Sequence, residues 1–246
     1  MSNGIKVKKR NGRGTEALNL EKMHKMVDEA TQGLAGVSAS QVEIQSGIQF
    51  YDGITTAEIQ EILIKSASDL IDLEHPNYQF VAARLLLFSV RKSLYGRSRE
   101  LPELEDHIVK CVGQEVYDGD IYSKYSKEDI EKANGYIDHN RDFLFTYAGL
   151  RQVVDKYLVQ DRSTGQVYET PQFMYMMIAL TIFAEYPKET RLNYVRRYYD
   201  AISRHRINIP TPIMAGVRTP IRQFASCVLV DIDDTLDSIF SSDMAI

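Results

Sequence analysis

A mostly α-helical protein, with β structure confined to two hairpins and one strand, is what this sequence predicts. Three features carry the expectation. Apolar residues recur at the i, i+3, i+4 spacing of a helix face, as in Ile59, Ile62, Leu63, Ala67, Leu70 and Ile71. Capping signals stand in front of such stretches, for example Thr55 with Glu58 three residues on. Strand-like runs are few and short.

The elements follow in order. Residues 5–10 alternate apolar and basic side chains, meet the turn signal Asn11-Gly12 and extend again over 15–18, which predicts a hairpin. Asn19 caps a helix with Met23, Met26, Val27 and Ala30 on one face and Gly33 as its stop. Ser40 with Glu43, and Thr55 with Glu58, each spell a capping box for a second and a third helix. Beyond Pro76, residues 80–90 are apolar nearly all round, as in a helix buried by its neighbours. A first unit, residues 1–96, closes near Gly96, and a polar junction at 97–103 opens a second, residues 97–246.

In that second unit, residues 157–160 and 166–169 flank a five-residue turn and predict another hairpin. Thr170 and Pro171 open the most apolar helix, residues 173–183, with threonine as N-cap and proline at the first helical position. Another helix runs from 188 to about 203. Residues 224–232 read as one buried strand whose ladder partners must come from elsewhere, because a lone strand cannot satisfy its backbone. Asp233, Asp234 and Thr235 then offer N-cap chemistry for a last helix towards Ile246.

Composition narrows the function. The 246 residues, 44% hydrophobic and 26% charged, suffice for one large core or two smaller ones. A formal net charge of -5 argues against nucleic acid as a partner, while small nucleotides stay open. No apolar run approaches the roughly 20 residues that span a bilayer, and the N-terminus lacks the build of a signal peptide. The expectation is a cytoplasmic protein with no membrane partner. Two cysteines, Cys111 and Cys227, are too few for a disulfide scaffold, and the five histidines lack carboxylate partners at ligand spacing. No metal is expected in this chain.

Lys8, Lys9, Arg10 and Arg13 surround the Asn11-Gly12 turn, where cations and backbone N–H groups can converge on a phosphate chain. The same charges equally serve to keep a hairpin edge from pairing with other chains. Taken with the rest of the unit, the order Val7-Lys8-Lys9-Arg10-Asn11-Gly12, Asn19-Leu20-Glu21-Lys22, Thr55-Thr56 and Arg91-Lys92 resembles the ATP-cone, a nucleotide-sensing regulatory module, over residues 5–96. The resemblance implies a hairpin on a helical bundle, with ATP or dATP as effector held at Lys9, Arg10, Glu16, Asn19, Lys22, Thr56 and Lys92. Gln60 and Ser89 stand where inhibitable members carry histidines, and Glu58 replaces a shorter acid, so inhibition by dATP is not part of what is implied.

Cys227 by itself lies in a Val/Leu-rich run, where a cysteine is more often a small hydrophobe than a reactive group. The run Ile209-Pro210-Thr211-Pro212-Ile213-Met214-Ala215-Gly216-Val217-Arg218-Thr219-Pro220, followed by Gln223-Phe224-Ala225-Ser226-Cys227-Val228-Leu229, closely resembles the first active-site strand of class I ribonucleotide reductase large subunits. Similar segments across 97–246 extend the resemblance to almost the whole chain. It implies that 224–232 is the first strand of a ten-stranded α/β barrel completed by another chain. It further implies that Cys227 is one of the redox pair that reduces the ribonucleotide and becomes a disulfide, and that Thr211 and Ser226 hold the substrate diphosphate. Asp234 and Leu236 would begin the specificity site, where an effector dNTP binds near a large-subunit dimer interface. Cys111 is read as a buried small residue.

The second redox cysteine, the radical cysteine and their asparagine and glutamate partners have no counterpart in this sequence. The implied activity therefore calls for a C-terminal fragment of the large subunit in trans, a radical-generating small subunit with a di-iron tyrosyl radical, and thioredoxin or glutaredoxin as reductant. A different class stays open: a non-catalytic nucleotide-binding regulatory or interaction fragment. Diphosphate as the reduced substrate rests on the resemblance alone.

Overall fold

The computed structural model describes residues 5–9, 14–96, 98–221 and 223–245. β1 (Lys6–Lys8) and β2 (Thr15–Ala17) pair antiparallel with Lys6 opposite Ala17, while the Asn11-Gly12 turn and Arg10 lie outside the described residues. The free edge of β1 is taken up by the loop that leads into the third helix. Gly53 N–H donates to Lys6 O and Lys8 N–H to Ile54 O, each at 2.8 Å, and Lys6 N–H donates to Asp52 Oδ1 at 2.8 Å. Gly53 sits at φ +86°, a backbone region that glycine enters without strain. The hairpin is thereby fixed in front of that helix, with Val7 buried beneath it.

α1 (Leu20–Thr31) begins as its cap dictates: Asn19 Oδ1 accepts the Lys22 N–H at 2.8 Å, and Met23, Val27 and Ala30 face the core. α2 (Ala39–Gly47) begins at Ser38, two residues ahead of the expected capping box. Glu43 is drawn instead to His24 of α1, 2.8 Å away, and the Ser38 N–H finds the Tyr78 hydroxyl at 3.0 Å. α3 (Thr56–Asp69) carries the box in full, with Glu58 N–H donating to Thr55 Oγ1 at 3.1 Å and Thr55 N–H to Glu58 Oε2 at 2.8 Å. Ile71, placed on the core stripe by its spacing, lies past the end of α3 and is exposed.

α4 (Tyr78–Tyr95) is the central helix. α1 and α3 pack on it, as do α8 (Tyr147–Gln152) and a 3-10 helix (His139–Leu144), which accounts for its apolar character all round. Arg84 of α4 donates through Nη1 to Ala30 O at 3.1 Å and Gln32 O at 2.7 Å, satisfying carbonyls left over at the end of α1. Gly96 at φ +71° closes α4 in the left-handed conformation.

Then follow α5 (Leu104–Gly113), α6 (Ile121–Lys124), α7 (Lys127–Asn134), α9 (Pro171–Ile182) and α10 (Lys188–Ser203). The residues of α9 from Phe173 to Leu180 are all buried, and the hydrophobic cluster they join is continuous with that around α4. Thr170 stands at the N-cap of α9 as expected, but its side chain makes no capping bond. Between α8 and the second hairpin, Val153–Tyr157 form a π-helical turn. Gln160 Nε2 and the Arg162 guanidinium donate to the carbonyls of Val154, Asp155 and Lys156. Tyr157 is therefore spent on the turn, and the hairpin shortens to β3 (Gln160–Asp161) with β4 (Gln166–Val167), prolonged by Tyr168 N–H to Val159 O at 2.9 Å.

Residues 224–232, expected as a strand whose ladder partners lie on another chain, run unpaired within this one. Among the described residues they have no ladder partner and no regular secondary structure, and Val228 and Leu229 are 83% and 98% exposed. Both hairpins are short two-stranded ladders, and neither supplies the backbone donors and acceptors that a buried strand requires. After α11 (Thr211–Gly216) and this segment, α12 (Leu236–Ala245) begins under Thr235, whose Oγ1 accepts the Ser238 N–H at 3.2 Å. Thr235, not Asp233 or Asp234, performs the capping. Among the described residues no helix is long and apolar enough to cross a membrane.

Candidate functional site

β2, the start of α1, the start of α3 and the end of α4 converge on a cavity of about 190 Å³. Glu16, Asn19, Lys22, Thr56, Gln60 and Lys92 line it, with an apolar wall from Val7, Met23, Met26 and Ile59. Five of the seven residues that the ATP-cone resemblance points to thus share one surface. Lys9 joins them through Glu16: its Nζ lies 3.0 Å from Glu16 Oε2, with both side chains 44% exposed. Arg10 lies outside the described residues.

The electrostatics of the cavity follow from its cations. The hydrogen bond from Lys9 is the largest influence holding the Glu16 carboxyl below the usual carboxylate range, and Lys9, Lys22 and Lys92 add to it through their charges. One carboxylate therefore sits among three ammonium groups. An incoming triphosphate would meet a net positive lining, with charge-assisted donors on two sides. Asn19 keeps its amide nitrogen available for donation, because the cap of α1 uses only Oδ1.

Two of the residues that depart from the inhibitable pattern, Gln60 and Glu58, have structural partners here. Gln60 is buried and donates through Nε2 to Leu85 O and Met26 Sδ, each at 3.3 Å, tying α3 to α4 and α1 across the wall of the cavity. Glu58 serves the capping box and also accepts the Tyr51 hydroxyl at 2.9 Å. The backbone bond from Thr55 is the main cause of its lowered pKa. Ser89 is buried on α4.

The other predicted site residues are less closely gathered. Thr211 opens α11, and its Oγ1 lies 3.3 Å from the Tyr157 hydroxyl. Ser226 and Cys227 are exposed on the segment before α12, with Ser226 Oγ 3.7 Å from Cys227 Sγ. Among the described residues no hydrogen bond joins Thr211 to either of them. Asp234 and Leu236 are exposed at the start of α12, Leu236 by 72%. Cys111 is fully buried beside His107, and burial pushes its thiol up to about 12.

Sequence reasoning missed the ion pair that underlies Thr211. Arg218 and Glu169 are both buried, with Arg218 Nε 2.9 Å from Glu169 Oε2 and Nη2 also bonded to Glu169. The available signal was a charge of each sign set in apolar surroundings beside a proline, at Glu169-Thr170-Pro171 and Arg218-Thr219-Pro220.

Comparison with known proteins bears on the whole chain. Residues 5–93 match the ATP cone domain family, and residues 143–222 match the family described as ribonucleotide reductase, all-alpha domain. The chain is 50% identical over 246 residues to the ribonucleoside-diphosphate reductase 1 subunit alpha of Escherichia coli (strain K12), covering 100% of this chain and 32% of that protein. The corresponding subunit alpha of Haemophilus influenzae is also 50% identical over 246 residues, with 32% of its length covered. That of Enterobacteria phage T4 is 44% identical over 227 residues, 92% of this chain and 29% of the phage protein. The chain thus spans about a third of the length of these relatives. It carries the ATP cone domain followed by the ribonucleotide reductase all-alpha domain, and along its whole length it is similar to ribonucleoside-diphosphate reductase alpha subunits.

Proposed function

We propose that this chain contributes allosteric nucleotide binding, substrate diphosphate binding and one redox thiol to the reduction of ribonucleotides, acting together with a polypeptide that carries the rest of the large subunit. In this reading residues 1–96 form the regulatory unit, and residues 97–246 form the N-terminal portion of the catalytic domain. The observation that carries it is the cavity at which Glu16, Asn19, Lys22, Thr56 and Lys92 meet, with Lys9 held beside them by Glu16. ATP or dATP would bind there through its phosphates, and Asp234 and Leu236 would contact an effector dNTP in the assembled dimer.

The chemistry assigned to Cys227 needs a second thiol from the complementary polypeptide. In balance, the C2′–O bond of the ribose breaks and a C2′–H bond forms, and the hydroxyl leaves as water. Two thiols give up two electrons and two protons and become a disulfide. Thioredoxin or glutaredoxin would return the pair to thiols, and a small subunit with a di-iron tyrosyl radical would start the reaction. The exposure of Cys227 and the unpaired segment around it fit a chain whose barrel neighbours lie on another polypeptide. Such a protein would work in the cytoplasm.

The test is reconstitution. The chain is mixed with the complementary large-subunit polypeptide, the radical subunit and dithiothreitol, and reduction of a ribonucleoside diphosphate is followed for Cys227 and Cys227→Ser. Turnover that Cys227→Ser abolishes supports the reading, and turnover that survives the substitution sinks it. A second reading is favoured by one observation: the nucleotide cavity is formed within the chain, whereas 224–232 has no ladder. A non-catalytic nucleotide-binding regulator would bind ATP by calorimetry and support no turnover in any mixture.

A further inference from the structure

We infer that Tyr157 is the positioning residue for Thr211, fixing its hydroxyl in one orientation through a π-helical turn clamped by the buried Arg218–Glu169 pair. This rests on the proposed role of Thr211 in holding the substrate diphosphate and adds to it the group that aims that hydroxyl. Three observations converge. The Tyr157 hydroxyl and Thr211 Oγ1 are 3.3 Å apart, although 54 residues separate them in sequence. Tyr157 ends a π-helical turn, a rare conformation that adds a residue to a helical turn and re-aims the side chains at its end. The main chains on both sides of the contact are held by the same guanidinium. Arg218 donates through Nη2 to Tyr157 O at 2.9 Å and through Nη1 to Met214 O, in α11, at 2.5 Å.

The clamp cannot slacken at low cost. Both charged side chains of the pair are 0% exposed. The second partners of Glu169 are also fixed: the Val159 N–H donates to Oε1 at 2.6 Å and the Tyr117 hydroxyl to Oε2 at 2.5 Å. Arg218 O accepts the Asp118 N–H at 3.0 Å. Residues 117–118, 157–159, 169 and 214–218 are thereby joined at one point. A guanidinium that lost any of these acceptors would be left buried and unsatisfied, so the backbones of Tyr157 and Thr211 keep a fixed separation.

A threonine hydroxyl in an unconstrained setting samples more than one χ1 well, and a hydroxyl that must meet a phosphate oxygen gains from being held in the right one beforehand. Tyr157 supplies that restraint from the side. Tyr157 also packs against the hydrophobic core, beside a cavity of about 530 Å³ that it lines with Ile209 and Met214, so the tyrosine is held by packing as well as by its carbonyl.

The experiment uses the 246-residue chain and the single variant Tyr157→Phe, which keeps the ring and its packing and deletes the hydroxyl. Three-bond couplings from the Thr211 methyl carbon to its own nitrogen and carbonyl carbon report χ1. The wild-type chain should show one rotamer and Tyr157→Phe an average over at least two. Unchanged couplings in the variant overturn the proposal.

In the reconstituted reductase, Tyr157→Phe should raise KM for the ribonucleoside diphosphate by roughly 3- to 10-fold with kcat retained, the range expected for one hydrogen bond. The double variant with Thr211→Val should be no worse than Thr211→Val alone. A Tyr157→Phe effect that persists in full on the Thr211→Val background overturns positioning through Thr211. If Thr211→Val leaves KM unchanged, the diphosphate role of Thr211 falls, and the χ1 measurement still decides the role of Tyr157.

Discussion

Arg91 and Asp142 form a buried ion pair at 2.7 Å, with 6% and 0% of their side chains exposed, and it ties α4 to the helices that follow. Asp142 also accepts the Gln172 amide at 2.9 Å, the Tyr199 hydroxyl donates to Gln172 Oε1 at 2.7 Å, and the Asp138 N–H reaches Tyr199 at 2.9 Å. The neighbouring Lys92 faces the nucleotide cavity on the same helix. A partner removed from such a network leaves a buried charge uncompensated. Asp142→Ala should therefore cost about 3–5 kcal/mol of folding stability, read from the denaturant midpoint. Replacement by the isosteric Asn, which keeps an acceptor for Gln172, should cost less. Equal losses for both would show that the charge facing Arg91, not the acceptor for Gln172, is what matters there.

Acid should destabilise the chain well above the range where carboxylates titrate. Burial pushes the His107 pKa down to about 3 and that of His139 down to about 4, so both rings are neutral in the folded state near pH 7. Below about pH 6.5 the unfolded chain takes up protons that the folded chain refuses. Stability is thus complete above that value and is lost progressively as pH falls towards the folded values. Lowering the pH from 7 to 5 should cost roughly 2 kcal/mol through His107 alone. Denaturant unfolding at pH 7, 6 and 5 checks this, and His107→Gln should flatten the dependence.

Where the sequence made the fold legible, the determining interactions are local. The caps at Asn19 and Thr55 and the stops at Gly33 and Gly96 join residues a few positions apart, and each stands where the pattern places it. Local pattern misleads where a distant partner competes. Glu43 turns to His24 instead of completing a box with Ser40, and the π-helical turn at 153–157 leaves no composition signal. The apolar run 224–232 carries the pattern of a strand, but a strand is a pairing, and no neighbour within the described residues supplies one. At the site, the residues around the cone cavity could be named from their order, whereas the Arg218–Glu169 clamp bridges 49 positions and emerges only in three dimensions.

Nucleotide affinity at the cone cavity should respond to its cations in a salt-dependent way. Glu16 already offsets part of the charge of Lys9, Lys22 and Lys92. Lys92→Ala should weaken ATP binding about tenfold at low ionic strength, the loss of one charge-assisted contact. The gap between wild type and variant should narrow as salt screens exposed charges. Titration calorimetry at about 50 and 500 mM salt tests both statements. An affinity indifferent to Lys92 at both concentrations would move the phosphates elsewhere.

The two thiols should differ sharply in reactivity. Cys227 is exposed on an unpaired segment, where a reagent can reach sulfur directly. Cys111 is fully buried, its thiol is pushed up to about 12, and its sulfur lies 3.7 Å from His107 Nε2. A chromogenic disulfide reagent at pH 8 should therefore titrate one thiol of the native chain quickly and a second only after denaturation. Cys227→Ser should abolish the fast phase and leave the slow one. A fast phase that survives in Cys227→Ser would mean that α5 opens readily. It would also remove the grounds for treating Cys227 as the thiol of this chain that is available to substrate and reductant.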